Sequence, residues 1–360
     1  MKDRVASVDI GSTFTKGAVF AFDGGVLKVL RQAVFPTTRG DLGEGFFSVL
    51  GGLTEGGPEN AAGAGFPVRF SSSAKGGLRI AAVGIVPDLT LQVARLAAWS
   101  AGGRIVGDSA YRLSPETMDR ILAGDPDIIL LSGGTEGGNE KFVLSNAEVV
   151  AASAFSGTVL YAGNSAVRRQ VLEILRDKRT AVAGNVMPEI GKMATDSARQ
   201  AIQKIFLDSI VHGRGLDRVR DFCGSDPKPT PLAVFELVSR IGELRPDWGD
   251  FCVVDPGGAT TDFYSCGEAF RGAEGVLLKG IREPRVKRTV EGDLGLRISA
   301  ESLLAGAGDA LRSEAEARGI SFDEMKEYAA QAAARTDMRS ADGRELLMDT
   351  LLCEAAAACA

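Results

Sequence analysis

Asp9 and Asp255 each close an apolar run and open a short stretch of Gly, Ser and Thr, after which a second apolar run leaves. The two segments are VASVDIGSTFTKGAVF (5–20) and FCVVDPGGATTDFYS (251–265). A carboxylate delivered into such a turn suits a hydrated Mg²⁺ held through its waters, which makes Asp9 and Asp255 the candidate metal residues. Gly11, Gly257 and Gly258 let main-chain N–H groups approach a phosphate closely. Ser12, Thr13, Thr260 and Thr261 add hydroxyl donors. Lys16, seven residues after Asp9, supplies a point charge for a β- or γ-phosphate. Asp262, seven residues after Asp255, occupies the mirrored position with the opposite sign, where a carboxylate can orient an attacking water or a second metal-bound water. Asp9, Asp255 and Asp262 are therefore the candidate catalytic carboxylates. One such hairpin says little by itself, but two matching copies point to a nucleotide gripped between two lobes.

The chain that must position these turns has 360 residues, enough for two or three domains with substantial cores. A hydrophobic content of 45%, a charged content of 24% and 45 glycines suit a turn-rich α/β protein. The net charge of −6 argues against a primary nucleic-acid binder. The basic cluster REPRVKR (Arg282 to Arg288) reads as a solvated loop. Five cysteines, Cys223, Cys252, Cys266, Cys353 and Cys359, lack C-x-x-C spacing and read as reduced, mostly buried thiols of a cytoplasmic protein. With one histidine, His212, in a helix-ending IVHGRG context, a Ser-His-Asp triad and a clustered zinc site are both disfavoured. Neither a signal peptide nor an apolar run of about 18 residues is evident, so neither secretion nor membrane insertion is expected.

The first hairpin should continue into a third strand over Val26 to Phe35, followed by a helix near Asp41 to Leu50. From about Leu78, apolar strands alternate with helices: Pro87 to Ser100, Ser114 to Leu122, Asn139 to Ser153, Ser165 to Asp177, and a long one from Glu189 to His212. Such alternation predicts βαβ units and a parallel, Rossmann-like sheet. The expected organisation is a first lobe over 1–65, an inserted α/β domain with a helical connector over 66–245, and a second lobe over 246–360. Within the insert, DIILLSGGTEGGN, LYAGNSA and AVAGNVMP place Gly or Gly-Asn at the carboxyl ends of strands. That is where ligands of open parallel sheets bind, so Thr135, Glu136, Asn139, Asn164 and Asn185 could line a second crevice. The same residues equally suit tight turns, with Asn139 and Ser165 capping helices. Ser71, Ser72, Ser73 and Lys75 in SSSAKGG could grip an anion or simply connect domains.

After the second hairpin, the segment EGVLLKGI is expected to be a strand. Glu291, Gly292, Asp293 and Gly295 then form a Gly-rich turn before a helix starting near Ser299, whose N-terminus could face the nucleotide or be capped by Ser299. The remainder, 301–360, looks helical throughout and closes without a Gly or Pro terminator, so the second lobe is expected to be truncated.

The hairpin motifs DIGSTFTK and DPGGATTD resemble the phosphate-1 and phosphate-2 motifs of the actin/Hsp70/sugar-kinase (ASKHA) ATPase superfamily. Together with SSSAKGGLRIAAVGIVPDLT, ILLSGGTEGGN, VAGNVMPEI and RTVEGDLGLR, they make nearly the whole chain resemble the glutamate mutase accessory family (MutL/GlmL, distinct from the mismatch-repair protein of that name). The resemblance implies actin-like, ribonuclease H-like ATPase lobes around the inserted domain, with ATP and Mg²⁺ as ligands. It implies a reactivating chaperone for an adenosylcobalamin-dependent mutase, with cobalamin met only through that partner, and it leaves homodimerisation open. Phosphate-1 maps onto Asp9, Gly11, Ser12, Thr13 and Lys16, and phosphate-2 onto Asp255, Gly257, Gly258, Thr260, Thr261 and Asp262. Glu291, Gly292 and Asp293 join the expected nucleotide-binding set. Pro256 and Ala259 depart from the commoner choices, and the late strand and Gly-Gly turn that grip adenosine in the superfamily are not evident before Ala360. A small-molecule kinase and an actin-like assembly protein share the same hairpins. An electron-transferring dehydratase activator also shares them but needs cluster-binding cysteines.

Overall fold

The computed structural model describes residues 4–38, 40–54, 66–73, 78–211, 215–268 and 283–360. The first hairpin is β1 (Arg4–Ile10) against β2 (Phe14–Asp23), antiparallel, with β3 (Val26–Pro36) on the far side of β2. Gly24 and Gly25 make the β2–β3 turn at φ of 60° and 82°, values that glycine adopts without strain. Ala6, Val8 and Ile10 alternate inward from β1, as a sheet with one covered face requires. They share a core with Phe46, Val49 and Leu50 of α1 (Leu42–Leu53), whose first turn is capped by the Asp41 carboxylate accepting from the Gly43 N–H. β4 (Val68–Ser72) then lies parallel to β1 on its other side.

The chain next builds a separate, wholly parallel sheet. β5 (Arg79–Val83) leads through a wide π-type turn at Pro87–Leu91 into α2 (Gln92–Ser100). Then follow β6 (Arg104–Ser109), α3 (Pro115–Ala123), β7 (Ile128–Leu131), α4 (Lys141–Ala152), β8 (Thr158–Tyr161), α5 (Arg168–Ile174) and β9 (Arg179–Val182). Ile80 to Val83, Ile128 to Leu131 and Val159 to Tyr161 have no exposed surface, because helices cover both faces. The strand order is β6-β5-β7-β8-β9, a doubly wound arrangement with its switch point between β5 and β7. The protein is thus mixed α/β with a parallel sheet, as the strand and helix alternation implies.

The long helix expected from Glu189 starts later, as α6 (Asp196–Val211). Gly191 at φ 82° and a Glu189–Lys192 bridge hold a turn there, and the Ala194 N–H bonds back to the Val186 carbonyl. After α7 (Leu216–Cys223), the short β10 (Lys228–Pro229) pairs parallel to β4. The first sheet is therefore β10-β4-β1-β2-β3, and the parallel sheet interrupts it between β4 and β10.

α8 (Thr230–Leu244) leads to the second hairpin, β11 (Phe251–Pro256) against β12 (Thr261–Cys266), with β13 (Val286–Glu291) outside β12. The expected EGVLLKGI strand, together with Lys75, His212 and Arg282, falls outside the described residues. The rest of the basic cluster is not a solvated loop: Val286 onward is strand, and Arg288 is 4% exposed. Three helices, α9 (Ala300–Ala317), α10 (Phe322–Ala334) and α11 (Gly343–Cys359), close the chain around their own core. Of the five cysteines only Cys266 is buried, while Cys252 and Cys359 are exposed, which corrects the expectation of mostly buried thiols. No helix among the described residues is long and apolar enough to cross a membrane.

Candidate functional site

The two turns are closed in the same way. The Gly11 N–H donates to the Phe14 carbonyl at 3.0 Å, and the Gly257 N–H donates to the Thr260 carbonyl at 2.8 Å. In each hairpin the Asp sits two residues before that glycine, and its cross-strand partner is the residue seven positions on: Asp9 faces Lys16, and Asp255 faces Asp262. A Cβ on Gly258 would stand 2.6 Å from the Thr13 side chain, so the two turns touch and only hydrogen fits between them.

Together they wall a cleft of about 120 Å³, lined among others by Ser12, Ser73, Thr230, Asp255, Gly257, Gly258, Ala259, Thr260 and Asp262. Backbone carbonyls of the second turn are all engaged from behind. Leu296 N–H donates to Gly257 O, Arg297 and Ile298 N–H donate to Gly258 O, and the Ser299 hydroxyl donates to Ala259 O. Gly295 is needed there, since a Cβ would lie 2.3 Å from the Ala259 carbonyl carbon. With the carbonyls held on one side, the amides of Gly258, Ala259 and Thr260 have no internal partner among the described residues, and the same holds for Ser12 and Thr13. Free amides in tight turns bind anions.

Asp255 lines this cleft and feels the charge of Asp9, and the two carboxylates have different surroundings. The Asp9 carboxylate accepts from the Ser71 hydroxyl at 2.8 Å and from the Thr230 hydroxyl, at the start of α8, at 2.5 Å. Burial, reinforced by the charges of Asp262 and Asp9, pushes the Asp255 carboxyl above its ordinary value, with Lys16 and Arg288 opposing. A carboxylate cluster with incomplete compensation fits a cation that brings its own water. Among the described residues no group of three or more His, Cys, Asp or Glu side chains is placed to hold a metal ion.

Asp262 lines the same cleft, with its carboxylate paired to a guanidinium. It is 6% exposed, and its two carboxylate oxygens accept from the Arg288 Nη2 at 3.1 and 3.0 Å and one also from the Tyr264 hydroxyl at 3.3 Å. Thr261 is wholly buried and donates to the Leu294 carbonyl at 2.5 Å, so its hydroxyl is turned from the cleft. Glu291 lines a neighbouring cleft between α2 and β13, Gly292 packs beside Arg104, and Asp293 is exposed. The start of α9 braces the second turn instead of facing the cleft, and the Ser299 hydroxyl leaves its own helix uncapped. Ser71 and Ser73 do join the site, Ser73 through the lining and Ser71 through Asp9, whereas Ser72 is buried and donates to the Ile10 carbonyl.

The crevice of the parallel sheet is self-satisfied. Asn164 accepts from Gly137 and Ala166 N–H, Asn185 donates to the Gly134 carbonyl, and Asn139 accepts from the Phe142 N–H. Burial raises the Glu136 carboxyl, but hydrogen bonds from Ser165 and Asn185 outweigh it and hold the group below its ordinary value. Thr135 only buttresses this loop, its carbonyl accepting from the Gly138 N–H. These residues build the turns.

Arg288, Thr230, Arg104 and Arg297 were not anticipated. Arg297 makes a bidentate pair with Asp349 of α11 at 2.8 and 2.9 Å, which anchors the segment bracing the second turn. The sequence signal for the Arg288–Asp262 pair is an Arg and an Asp on strands whose register brings them to one face.

Fold and cleft define a mixed α/β protein in which two matched, carboxylate-bearing hairpins face each other. The MutL protein family model matches residues 5–360, and a curated MutL protein of Clostridium tetanomorphum is 37% identical over 314 residues, 85% of this chain and 67% of that protein. The chain belongs to the MutL family, the glutamate mutase-associated family that its motifs resemble.

Proposed function

We propose that the protein is an ATP-dependent accessory factor that reactivates an adenosylcobalamin-dependent mutase of the glutamate mutase type. The observation that carries this reading is the identity of the two turns: the same closing bond, the same Asp position, and free amides on both sides of one cleft. The strand order β10-β4-β1-β2-β3, with three antiparallel strands and two parallel ones added beyond β1, is the order an actin-like, ribonuclease H-like lobe requires, and β11-β12-β13 repeats its first three. The MutL family membership supports the choice of partner.

In this reading the turn amides and Lys16 bind the phosphates, and Asp9 and Asp255 would hold a hydrated Mg²⁺, which would offset the phosphate charge. Asp255, whose carboxyl is raised by burial, orients the attacking water; Asp262 holds Arg288. Loss of the terminal phosphate removes the group that bridges the two turns. The second hairpin then moves relative to the first, and the parallel-sheet domain carries that change to the mutase.

The test is to incubate a mutase inactivated by damaged cobalamin with the full chain and MgATP. Activity should return with ATP and not without it, and Asp9→Ala and Asp255→Ala should each remove both the recovery and the phosphate release. Recovery that ignores ATP, or unaltered hydrolysis in both variants, would overturn the proposal.

A further inference from the structure

We infer that Arg104 is a phosphate-binding residue, through which the parallel-sheet domain reaches into the hairpin cleft; this rests on the nucleotide reading of that cleft. Two guanidiniums line the cleft, Arg288 and Arg104. Arg288 is neutralised by Asp262 and donates to the Gly103 carbonyl at 2.9 Å, so its charge is already matched. Arg104 is half-buried, and among the described residues its guanidinium makes no ion pair and no hydrogen bond. It lies against Gly292, where a Cβ would come within 3.2 Å of the guanidinium, so the turn after β13 is bare at that point and lets the side chain pass.

The backbone fixes its aim. Arg104 opens β6, with its N–H bonded to the Leu78 carbonyl at 2.8 Å. The preceding Gly102 is at φ 86° and packs against Pro229 and Leu232 at the start of α8. The segment 102–104 is thereby wedged between α8 and β13, and Arg104 lines the cleft together with Ser12. A fork of donors with no internal acceptor, lining the same cleft as free turn amides and with no counter-carboxylate of its own, suits an anion with several oxygens. The ligand class is a di- or triphosphate.

Binding of Mg²⁺-pyrophosphate and MgATP to the full chain, measured by titration calorimetry, tests this. Arg104→Ala should weaken both by about 10- to 100-fold, and Arg104→Lys, a point charge without the fork, should recover only part of the loss, with melting behaviour unchanged. Where Arg104→Ala does not fold, phenylglyoxal modification of the wild-type chain replaces it: bound pyrophosphate should shield Arg104, read by mass spectrometry. Wild-type binding with an equally tight Arg104→Ala, or no shielding, overturns the role of Arg104 alone. If the wild-type chain binds neither ligand, the nucleotide reading falls with it.

Discussion

Replacing Arg288 with Met should cost about 3–5 kcal/mol, because it strands a buried carboxylate. The Arg288 side chain is 3% exposed and that of Asp262 is 9%, with the charged groups 3.0 Å apart. Asp262 has one other partner, the Tyr264 hydroxyl at 3.3 Å, and that hydroxyl also faces the Pro231 carbonyl at 3.2 Å. One shared neutral donor cannot compensate a desolvated charge. The variant also loses the bond to the Gly103 carbonyl at 2.9 Å and the placement of the guanidinium over the Tyr264 ring at 5.9 Å. Met keeps the apolar stem, so lost packing adds little. Removing the carboxylate as well, in Asp262→Asn with Arg288→Met, leaves no stranded charge, and the double variant should be more stable than the sum of the singles by about 2–3 kcal/mol. Urea unfolding followed by circular dichroism and by Trp fluorescence measures all four proteins. A loss below about 1 kcal/mol for Arg288→Met, or additivity in the cycle, would refute the assignment of a buried, mutually dependent pair.

The raised Asp255 carboxyl gives a pH-dependent expectation. Stability from its protonated form is complete below the ordinary Asp value and is lost as pH rises through the raised value, so Asp255→Asn should stabilise the protein at pH 7 by about 0.5–2 kcal/mol. That gain should vanish by about pH 3 in thermal melts, and an Asn variant less stable than wild type at pH 7 contradicts the burial argument. Gly258→Val should push the two turns apart at Thr13 and weaken Mg²⁺-pyrophosphate binding by about tenfold or more, at a stability cost of about 1–3 kcal/mol. Gly306→Ala, where a Cβ meets nothing within 4 Å, is the control, and equal binding by both variants would show that the turns need no close approach.

The hairpins were legible because everything that makes them is local. An apolar run, an Asp, a Gly-containing turn and a second run specify β1–β2 and β11–β12 within about 15 residues each. The parallel sheet was legible for the same reason, since IILL and TVLY are too apolar for anything but strands covered on both faces. Contacts that complete the site come from far along the chain. Thr230 reaches Asp9 across 221 positions, and nothing in a Pro-Thr-Pro helix start announces that. Arg288 looked solvated because it sits among charges; only the β12–β13 register, pairing Tyr264 with Arg288 and Asp262 with Val290, puts it diagonally beside Asp262 on the covered face. The SGGTEGGN loop left two readings open, a ligand crevice and tight turns, and its bonds favour the turns. Its polar residues look like a ligand set, yet their hydrogen bonds to one another and to the AGN turns leave them occupied.

The opposite charges at the matched positions Lys16 and Asp262 acquire a physical reason from this arrangement. Lys16 is exposed, where a long flexible cation keeps its rotamer freedom. Asp262 is buried because something must hold Arg288, and Arg288 in turn accepts no freedom: its guanidinium is bonded to Asp262 and, at 2.9 Å, to the Gly103 carbonyl. The first hairpin therefore ends in a mobile charge, whereas the second ends in a rigid link to the loop that carries Arg104. A displacement of the second turn cannot occur without either breaking that link, at the cost estimated above, or moving the 102–104 segment with it. Since Gly102 is packed on the start of α8, whose Thr230 holds Asp9, the same displacement also reaches the first hairpin. The parallel-sheet domain thus meets the second hairpin at Arg288 and the start of α8 at Gly102.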